Sequence, residues 1–281
     1  MIDLHSHILP GIDDGADSLE TSVAMARMAV EDGVTLMACT PHIKPGVYDN
    51  RPKDIWRATG DLVQELISRD IHLELLPGAD VHLAGDLFER LGDELPPSLG
   101  ETRYFLLEPP HHVLPPMLKA FCERLIAAER RPILTHPERL TWVPDHYEEA
   151  KALAECGVLM QLTAGSLTGE FGSAARDLAF RMLDDGLCDL IASDAHDAGP
   201  RAPGMSKARE IVRERLGKEE AQHVTLTRPQ AILGDAAVAR PARLTERRTR
   251  QGSRLPVARA RPGLSGVFRR IGKSIAGRGG G

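Results

Sequence analysis

Short apolar runs alternate with amphipathic windows of helical period along residues 1–235, and six of the seven runs lead into a histidine, aspartate or glutamate. The runs cover residues 2–5, 34–40, 73–78, 104–108, 133–136, 158–163 and 189–193. Helical windows fall at 18–32, 54–69, 116–130, 146–156, 173–185 and 206–216. The first of them opens with Asp17 and Glu20 at capping-box spacing and stops at Gly33. Strand and helix in alternation call for parallel strands joined by helical crossovers. Seven such units suit a closed βα barrel better than an open doubly wound sheet, because no glycine-rich phosphate loop follows the first run.

Charge divides the chain in two. Residues 240–281 carry 12 Lys or Arg against one acid, Glu246, a net +11 that leaves −16 on residues 1–239 within the overall −5. That segment also holds eight glycines and few large apolar side chains, too little burial to offset the entropy of ordering. The expected organisation is a body over 1–235 and a basic Gly/Arg-rich, mostly disordered tail over 236–281. Within the tail, Leu264, Val267, Phe268, Ile271 and Ile275 recur at helical spacing. A solubilising tail is the plain reading; the alternatives are a short amphipathic helix over 264–276 that meets anionic lipid at the inner membrane face, or docking in cis on the acidic body.

Composition removes several function classes. An acidic body with 4% aromatic residues is a poor platform for nucleic acid, so no nucleic-acid partner is expected. The longest stretch free of charged residues, 156–169, has 14 residues and includes Gln161, Thr163 and Ser166, so no membrane span fits. The opening residues lack a basic segment followed by an apolar one, and a cytoplasmic protein is expected. Cys39, Cys122, Cys156 and Cys188 are widely spaced in apolar surroundings and read as buried free thiols. None has an arginine six positions on, which excludes a cysteine phosphatase; the residues there are Pro45, Ala128, Leu162 and Asp194. Gly272-Lys273-Ser274 lacks the upstream glycine of a P-loop, since Val267 stands there, and no G-x-S-x-G elbow occurs.

The chemistry gathers where the runs end. His5 and His7 follow the first run at i and i+2, a chelating pair on one side of an extended chain. Asp13-Asp14-Gly15 lies in the next loop; Thr40-Pro41-His42, Pro77-Gly78-Ala79-Asp80, Glu108, Thr135-His136-Pro137-Glu138-Arg139 and Ser193-Asp194-Ala195-His196 end later runs. Each alone has a structural reading as a cap, a turn or a satisfied polar residue. Their coincidence at the carboxyl ends of barrel strands points to one mouth. Five imidazoles (His5, His7, His42, His136, His196) and four carboxylates (Asp14, Asp80, Glu108, Asp194) suffice for two or three divalent ions, with no thiolate among them.

In order and spacing this set resembles the PHP-domain metal phosphoesterases, and within them the bacterial CpsB/YwqE/CapC-type protein-tyrosine phosphatases. The likeness covers about residues 1–235 and is carried by the opening 15 residues, Thr40-Pro41-His42, Pro77-Gly78-Ala79-Asp80, Glu108, His136-Pro137-Glu138-Arg139 and Ser193-Asp194-Ala195-His196. It implies a distorted (β/α)7 barrel, a two- or three-metal centre usually supplied with manganese, with iron or zinc as alternatives, and phosphotyrosine as substrate. The implied partner is a bacterial tyrosine autokinase governing capsule or exopolysaccharide production. By the same resemblance His5, His7, Asp80 and Asp194 would hold one ion, Asp80, Glu108 and His136 a second, and Asp14, His42 and His196 a third. One departure stands out. The family carries glutamate where this chain has Asp80, the expected bridge, so a side chain one methylene shorter must span two ions; His82 lies on the same strand face.

The implied mechanism is attack on phosphorus by a hydroxide bridging two cations. Arg139 and Arg201 are the candidates for a guanidinium clamp on the equatorial oxygens. Glu138 reads as a partner of its neighbours rather than a catalyst; His111 and His112, just past Glu108, are within reach of the mouth, with a wet loop as the commoner reading. A small-molecule phosphatase acting on histidinol phosphate keeps the same metals, and a non-catalytic metal-stabilised scaffold would bind them without turnover.

Overall fold

The computed structural model describes residues 1–83 and 98–240 of the 281-residue chain. Nine strands occur among these residues: β1 (Ile2–Asp3), β2 (Leu36–Cys39), β3 (His42–Ile43), β4 (Glu74–Pro77), β5 (Asp80–His82), β6 (Tyr104–Glu108), β7 (Arg131–Thr135), β8 (Leu159–Thr163) and β9 (Leu190–Ala192). All pair in parallel, in a sheet of order β1-β2-β4 and another of order β3-β5-β6-β7-β8-β9. The fold is thus a mixed α/β architecture with parallel sheets. The second and third apolar runs each give one strand, β2 and β4, and a further short strand not expected from the sequence follows each, β3 after Thr40-Pro41 and β5 after Gly78-Ala79. Proline cannot donate to a ladder. At Gly78 a Cβ would lie 3.1 Å from Thr40 Cγ2 and 3.0 Å from Leu99 Cδ2, so glycine lets the backbone pass close to both neighbours.

Helices connect the strands: α1 (Leu19–Glu31), α2 (Pro52–Ser68), α3 (Leu118–Ala127), α4 (Tyr147–Cys156), α5 (Ala164–Thr168), α6 (Gly172–Asp184), α7 (Ser206–Leu216), α8 (Lys218–Gln222) and α9 (Arg228–Leu233). The cap of α1 is Ser18, whose side chain accepts from Thr21 N, one residue later than the capping-box spacing suggests. Pro52 sits in the first turn of α2 and starts it two residues before the expected position. The short helices α5, α8 and α9 carry too few turns for a periodic signal. Among the described residues no helix is long and apolar enough to cross a membrane.

Alternation along the strands sorts side chains into two apolar clusters. Ile2, Leu4, Leu36, Leu76, Leu106, Ile133, Leu159 and Leu190 form one, joined by Ile232 and Leu233. Met37, Leu75, Phe105, Leu134, Met160 and Ile191 face the other way, into the larger cluster shared with the helices. Polar residues continue the first face toward the strand ends: Glu108 follows Leu106, and Gln161 follows Leu159, each two residues on. The apolar interior therefore gives way to a buried polar layer at one end.

The last described residues lie on the body. Tyr104 Oη donates to Ala236 O (2.7 Å), Arg228 Nε to Ala239 O (2.8 Å), and Arg240 bonds the carbonyls of Ala154 and Val158. The expected tail helix over 264–276, like residues 241–281 as a whole, lies outside the described residues. Three cysteines are buried and Cys156, at the end of α4, is half-buried; all four are free.

Candidate metal centre

Beyond β1 the chain stays extended and is clamped on both sides. Asp194 N donates to His5 O (2.9 Å), His7 N to Ala195 O (2.8 Å) and Thr40 N to Ser6 O (2.8 Å). A bridge pairs Ser6 with Ala195. This clamp converges the i, i+2 imidazoles, with their Nε2 atoms 3.1 Å apart. His136 (φ 35°) and Asp194 (φ 52°) both hold left-handed backbone conformations that cost non-glycine residues energy and concentrate at functional sites. Gly15 is required by contact: a Cβ there would lie 2.1 Å from His7 O.

All nine expected ligand residues meet in one cluster. His5 Nε2 lies 3.6 Å from Asp80 Oδ2 and 3.3 Å from Asp194 Oδ1, which is also 3.3 Å from His7 Nε2. His42 Nε2 lies 3.4 Å from Asp14 Oδ1 and its Nδ1 lies 3.5 Å from Asp80 Oδ2 and 3.4 Å from Glu108 Oε2. His196 Nε2 is 3.6 Å from Asp14 Oδ1, and His136 Nε2 is 3.7 Å from Glu108 Oε1. Four overlapping groups offer ligand atoms mutually within 4.8 Å: His7-Asp14-His42-His196, His5-His7-Asp80, His42-Asp80-Glu108 and Glu108-His111-His136. Most members are buried; Asp14 is exposed at the mouth.

Two hydrogen bonds set the imidazole tautomers. His5 Nδ1 donates to Gln161 Oε1 and His7 Nδ1 to Asp13 Oδ2, both at 2.7 Å, so each ring in its neutral form directs its Nε2 lone pair into the cluster. Asp13 also accepts from Gly15 N and His42 N, both at 2.9 Å. Neither Asp13 nor Gln161 figured among the expected site residues. Gln161 could have been found by counting two residues on from Leu159; Asp13 is distinguishable from Asp14 only in three dimensions.

The buried polar layer is electrostatically unfinished. Burial pushes His5 down to about 4, and burial with the nearby His7 charge pushes His196 down to about 2. Burial, reinforced by Arg139, holds His136 well below its usual range. Burial and the Glu108 charge raise Asp80 well above the carboxylate range. His7 goes the other way: burial opposes its charge, but Asp13 and Asp194 overcome that and hold it up at about 10. Burial would raise Asp194 too, yet His5, His7 and His136 keep it well below the usual value. Asp80 Oδ1 and Oδ2, His42 Nδ1 and His136 Nδ1 are buried without a hydrogen-bond partner. Such groups are costly unless something satisfies them. Converging imidazole lone pairs and unpaired carboxylate oxygens are the donor set of divalent cations, and the residues present fit such ions.

The two arginines join the cluster through Asp194. While Asp194 Oδ1 faces the imidazoles, its Oδ2 accepts from Arg201 Nη2 (2.8 Å) and pairs with Arg139 Nη1. The Phe171 ring lies 4.1 Å from the Arg139 guanidinium carbon, and Tyr48 stacks on His42 at 5.8 Å. Glu138 points away from the cluster, accepting from Thr163 N (2.8 Å) and Ser166 Oγ (2.7 Å), and so ties the His136 turn to the end of β8. His82 Nδ1 lies 3.3 Å from Glu108 Oε2. His111, expected in a wet loop, lies with its Nε2 3.2 Å from Glu108 Oε1.

Comparison with known proteins gives concordant likenesses. Residues 1–234 match the family described as capsular polysaccharide synthesis, CpsB/CapC. The tyrosine-protein phosphatase YwqE of Bacillus subtilis is 34% identical over 219 residues, 78% of this chain and 86% of that protein. The tyrosine-protein phosphatase CpsB of Streptococcus agalactiae is 25% identical over 238 residues, 83% of this chain and 98% of that one. A solved structure from work on YwqE of B. subtilis and CpsB of Streptococcus pneumoniae, described as metal-dependent tyrosine phosphatases, superposes with a TM-score of 0.83 at 32% identity. It covers 86% of this chain and 97% of the other.

Proposed function

The chain belongs to the CpsB/CapC family of capsular polysaccharide synthesis, and from that membership we propose that it is a metal-dependent protein-tyrosine phosphatase. The observation that carries the reading is the placement of Asp194, with one oxygen among the imidazoles and the other on two arginines. An anion-binding pair thereby sits at the edge of a metal-binding cluster, the pairing that phosphoryl transfer requires.

The proposed ligands are His5, His7, Asp80 and Asp194 for one ion, Asp80, Glu108 and His136 for a second, and Asp14, His42 and His196 for a third. Manganese is the proposed metal. Bound cations supply acidity to a water for attack on phosphorus and neutralise phosphate charge. The chain's own residues do the rest. Asp13 and Gln161 fix the His7 and His5 tautomers. Arg139 and Arg201, shared between Asp194 and the mouth, bind the equatorial phosphate oxygens in their bidentate forks. Phe171 and Tyr48 offer apolar faces beside the cluster for a phenyl ring. A phenol leaves with a pKa of about 10, so departure makes a modest demand for a general acid.

The finer architecture belongs to the same proposal: the Ser6–Ala195 bridge supports closure of the strands into a distorted (β/α)7 barrel. The family's role in capsule synthesis supports a tyrosine autokinase as the phosphorylated partner and a cytoplasmic site of action; the 12 Lys or Arg against one acid over residues 240–281 support contact of the tail with anionic membrane. Phosphate release from phosphotyrosine peptide, phosphoserine peptide and histidinol phosphate, each with Mn2+ and with EDTA, tests the activity. Metal-dependent turnover selective for phosphotyrosine supports it; preference for histidinol phosphate replaces the substrate, and metal uptake without turnover leaves a scaffold.

A further inference from the structure

We infer that His111 is a metal ligand of this chain, closing the Glu108–His136 end of the centre. The inference rests on the metal-dependent reading above. Glu108 faces two sides. Its Oε2 lies 3.4 Å from His42 Nδ1, whereas its Oε1 lies 3.2 Å from His111 Nε2 and 3.7 Å from His136 Nε2. Ligand atoms about 2.1 Å from one cation stand roughly 3.0–3.4 Å apart in octahedral or tetrahedral arrangement. The Glu108–His111 separation falls in that range and the Glu108–His136 separation just outside it. Asp80 is shared: its Oδ2 lies 3.6 Å from His5 Nε2 and 3.5 Å from His42 Nδ1, and it forms a group with His42 and Glu108 whose ligand atoms lie within 4.8 Å of one another. The His111 imidazole adds a further donor at the far side of Glu108, where Glu108, His111 and His136 hold ligand atoms within 4.8 Å of one another.

His111 is held in place through its backbone. Its carbonyl accepts from Thr141 N (2.9 Å) and Thr141 Oγ1 (3.1 Å), and the preceding carbonyl, of Pro110, accepts from Trp142 Nε1 (3.0 Å). Thr141 and Trp142 follow the Pro137–Arg139 turn that begins at His136. The two imidazoles, centroids 5.1 Å apart, are therefore carried by one tied unit rather than by independent loops. His112, whose Nδ1 lies 3.3 Å from Thr141 Oγ1, is the natural control.

The experiment measures metal equivalents per chain by mass spectrometry, chelator titration and the visible spectrum of the Co2+-loaded full chain, for wild type, His111→Ala, His111→Asp and His112→Ala. Circular dichroism checks the fold of each. His111→Ala should lose one equivalent, or release one ion at chelator concentrations at least tenfold lower, with a changed Co2+ spectrum. His111→Asp should recover the equivalent by restoring a donor, and His112→Ala should match wild type. A His111→Ala chain with wild-type equivalents, chelator sensitivity and spectrum overturns the inference while leaving the phosphatase reading intact. A wild-type chain that takes up no metal overturns both.

Discussion

Asp13→Asn isolates one hydrogen-bonded carboxylate with almost no change of shape. Asp13 Oδ1 accepts from Gly15 N, and Oδ2 accepts from His7 Nδ1 and His42 N. An amide has one acceptor oxygen and one donor group, so in either orientation an N–H opposes another N–H. With the amide nitrogen toward His7, the ring proton moves to Nε2, the atom 3.3 Å from Asp194 Oδ1 that should carry a ligand lone pair. With the oxygen toward His7, the Gly15 N–H is left unmatched at about 1–3 kcal/mol. Loss of a carboxylate behind a metal-bound histidine typically weakens metal affinity 10–100-fold, about 1.4–2.7 kcal/mol. The assay is phosphotyrosine hydrolysis titrated with Mn2+, alongside calorimetry of metal binding. The half-saturating Mn2+ concentration should rise 10–100-fold, with kcat at saturating metal largely recovered. An unchanged metal dependence would refute the argument that Asp13 sets the His7 tautomer.

Arg201→Ala should lower kcat/KM on phosphotyrosine peptide by about a hundredfold or more, the usual cost of removing one preorganised charge-stabilising donor, while metal content stays at the wild-type level. Metal loss accompanying the substitution would make Arg201 a structural support of Asp194 instead. Stripping the ions with EDTA should abolish turnover and lower Tm: saturation at a hundred times Kd is worth about 2.7 kcal/mol, about 5–11 °C for a body of this size. In the metal-free chain the raised His7 group stabilises the fold fully below about pH 6.5 and loses that contribution as pH rises through about 10. The depressed Asp13 contributes above about pH 4 and loses it as pH falls through about 2. Metal-free Tm should therefore decline on both sides of neutrality, and a flat profile would contradict the pairing. Gly15→Ala, whose Cβ would lie 2.1 Å from His7 O, should destabilise the chain by about 3 kcal/mol and weaken metal uptake, measured by urea unfolding and metal analysis.

Much of this was legible from one dimension. Alternating apolar runs and amphipathic windows specify parallel strands with helical crossovers, and each strand and helix position expected within residues 1–235 has its counterpart among the described residues. The nine ligand-type residues were readable because strand ends place their side chains at a common edge, whatever the details of packing. What misled were local competitions. Strands β3 and β5, two and three residues long beyond Pro41 and Gly78, are too short for a periodic signal, and Ser18 caps α1 where Asp17 has the better-known spacing. Its place just past Glu108 put His111 within reach of the mouth but did not separate it from His112; Thr141 and Trp142, distant in sequence, decide that His111 meets Glu108.

The sequence alone carried which residues could bear metal chemistry and the order of elements that brings them to one end of the two sheets, since side-chain type and hydrophobic period are local properties. Tertiary structure alone decided which nitrogen of each imidazole faces the cluster, that Asp194 divides its oxygens between imidazoles and arginines, and that Gln161 and Asp13 stand behind the ligands. Those outcomes depend on directions and distances between residues up to 190 positions apart, as in the bond from Ser193 N to Asp3 Oδ1, and such directions exist only once the strands have packed.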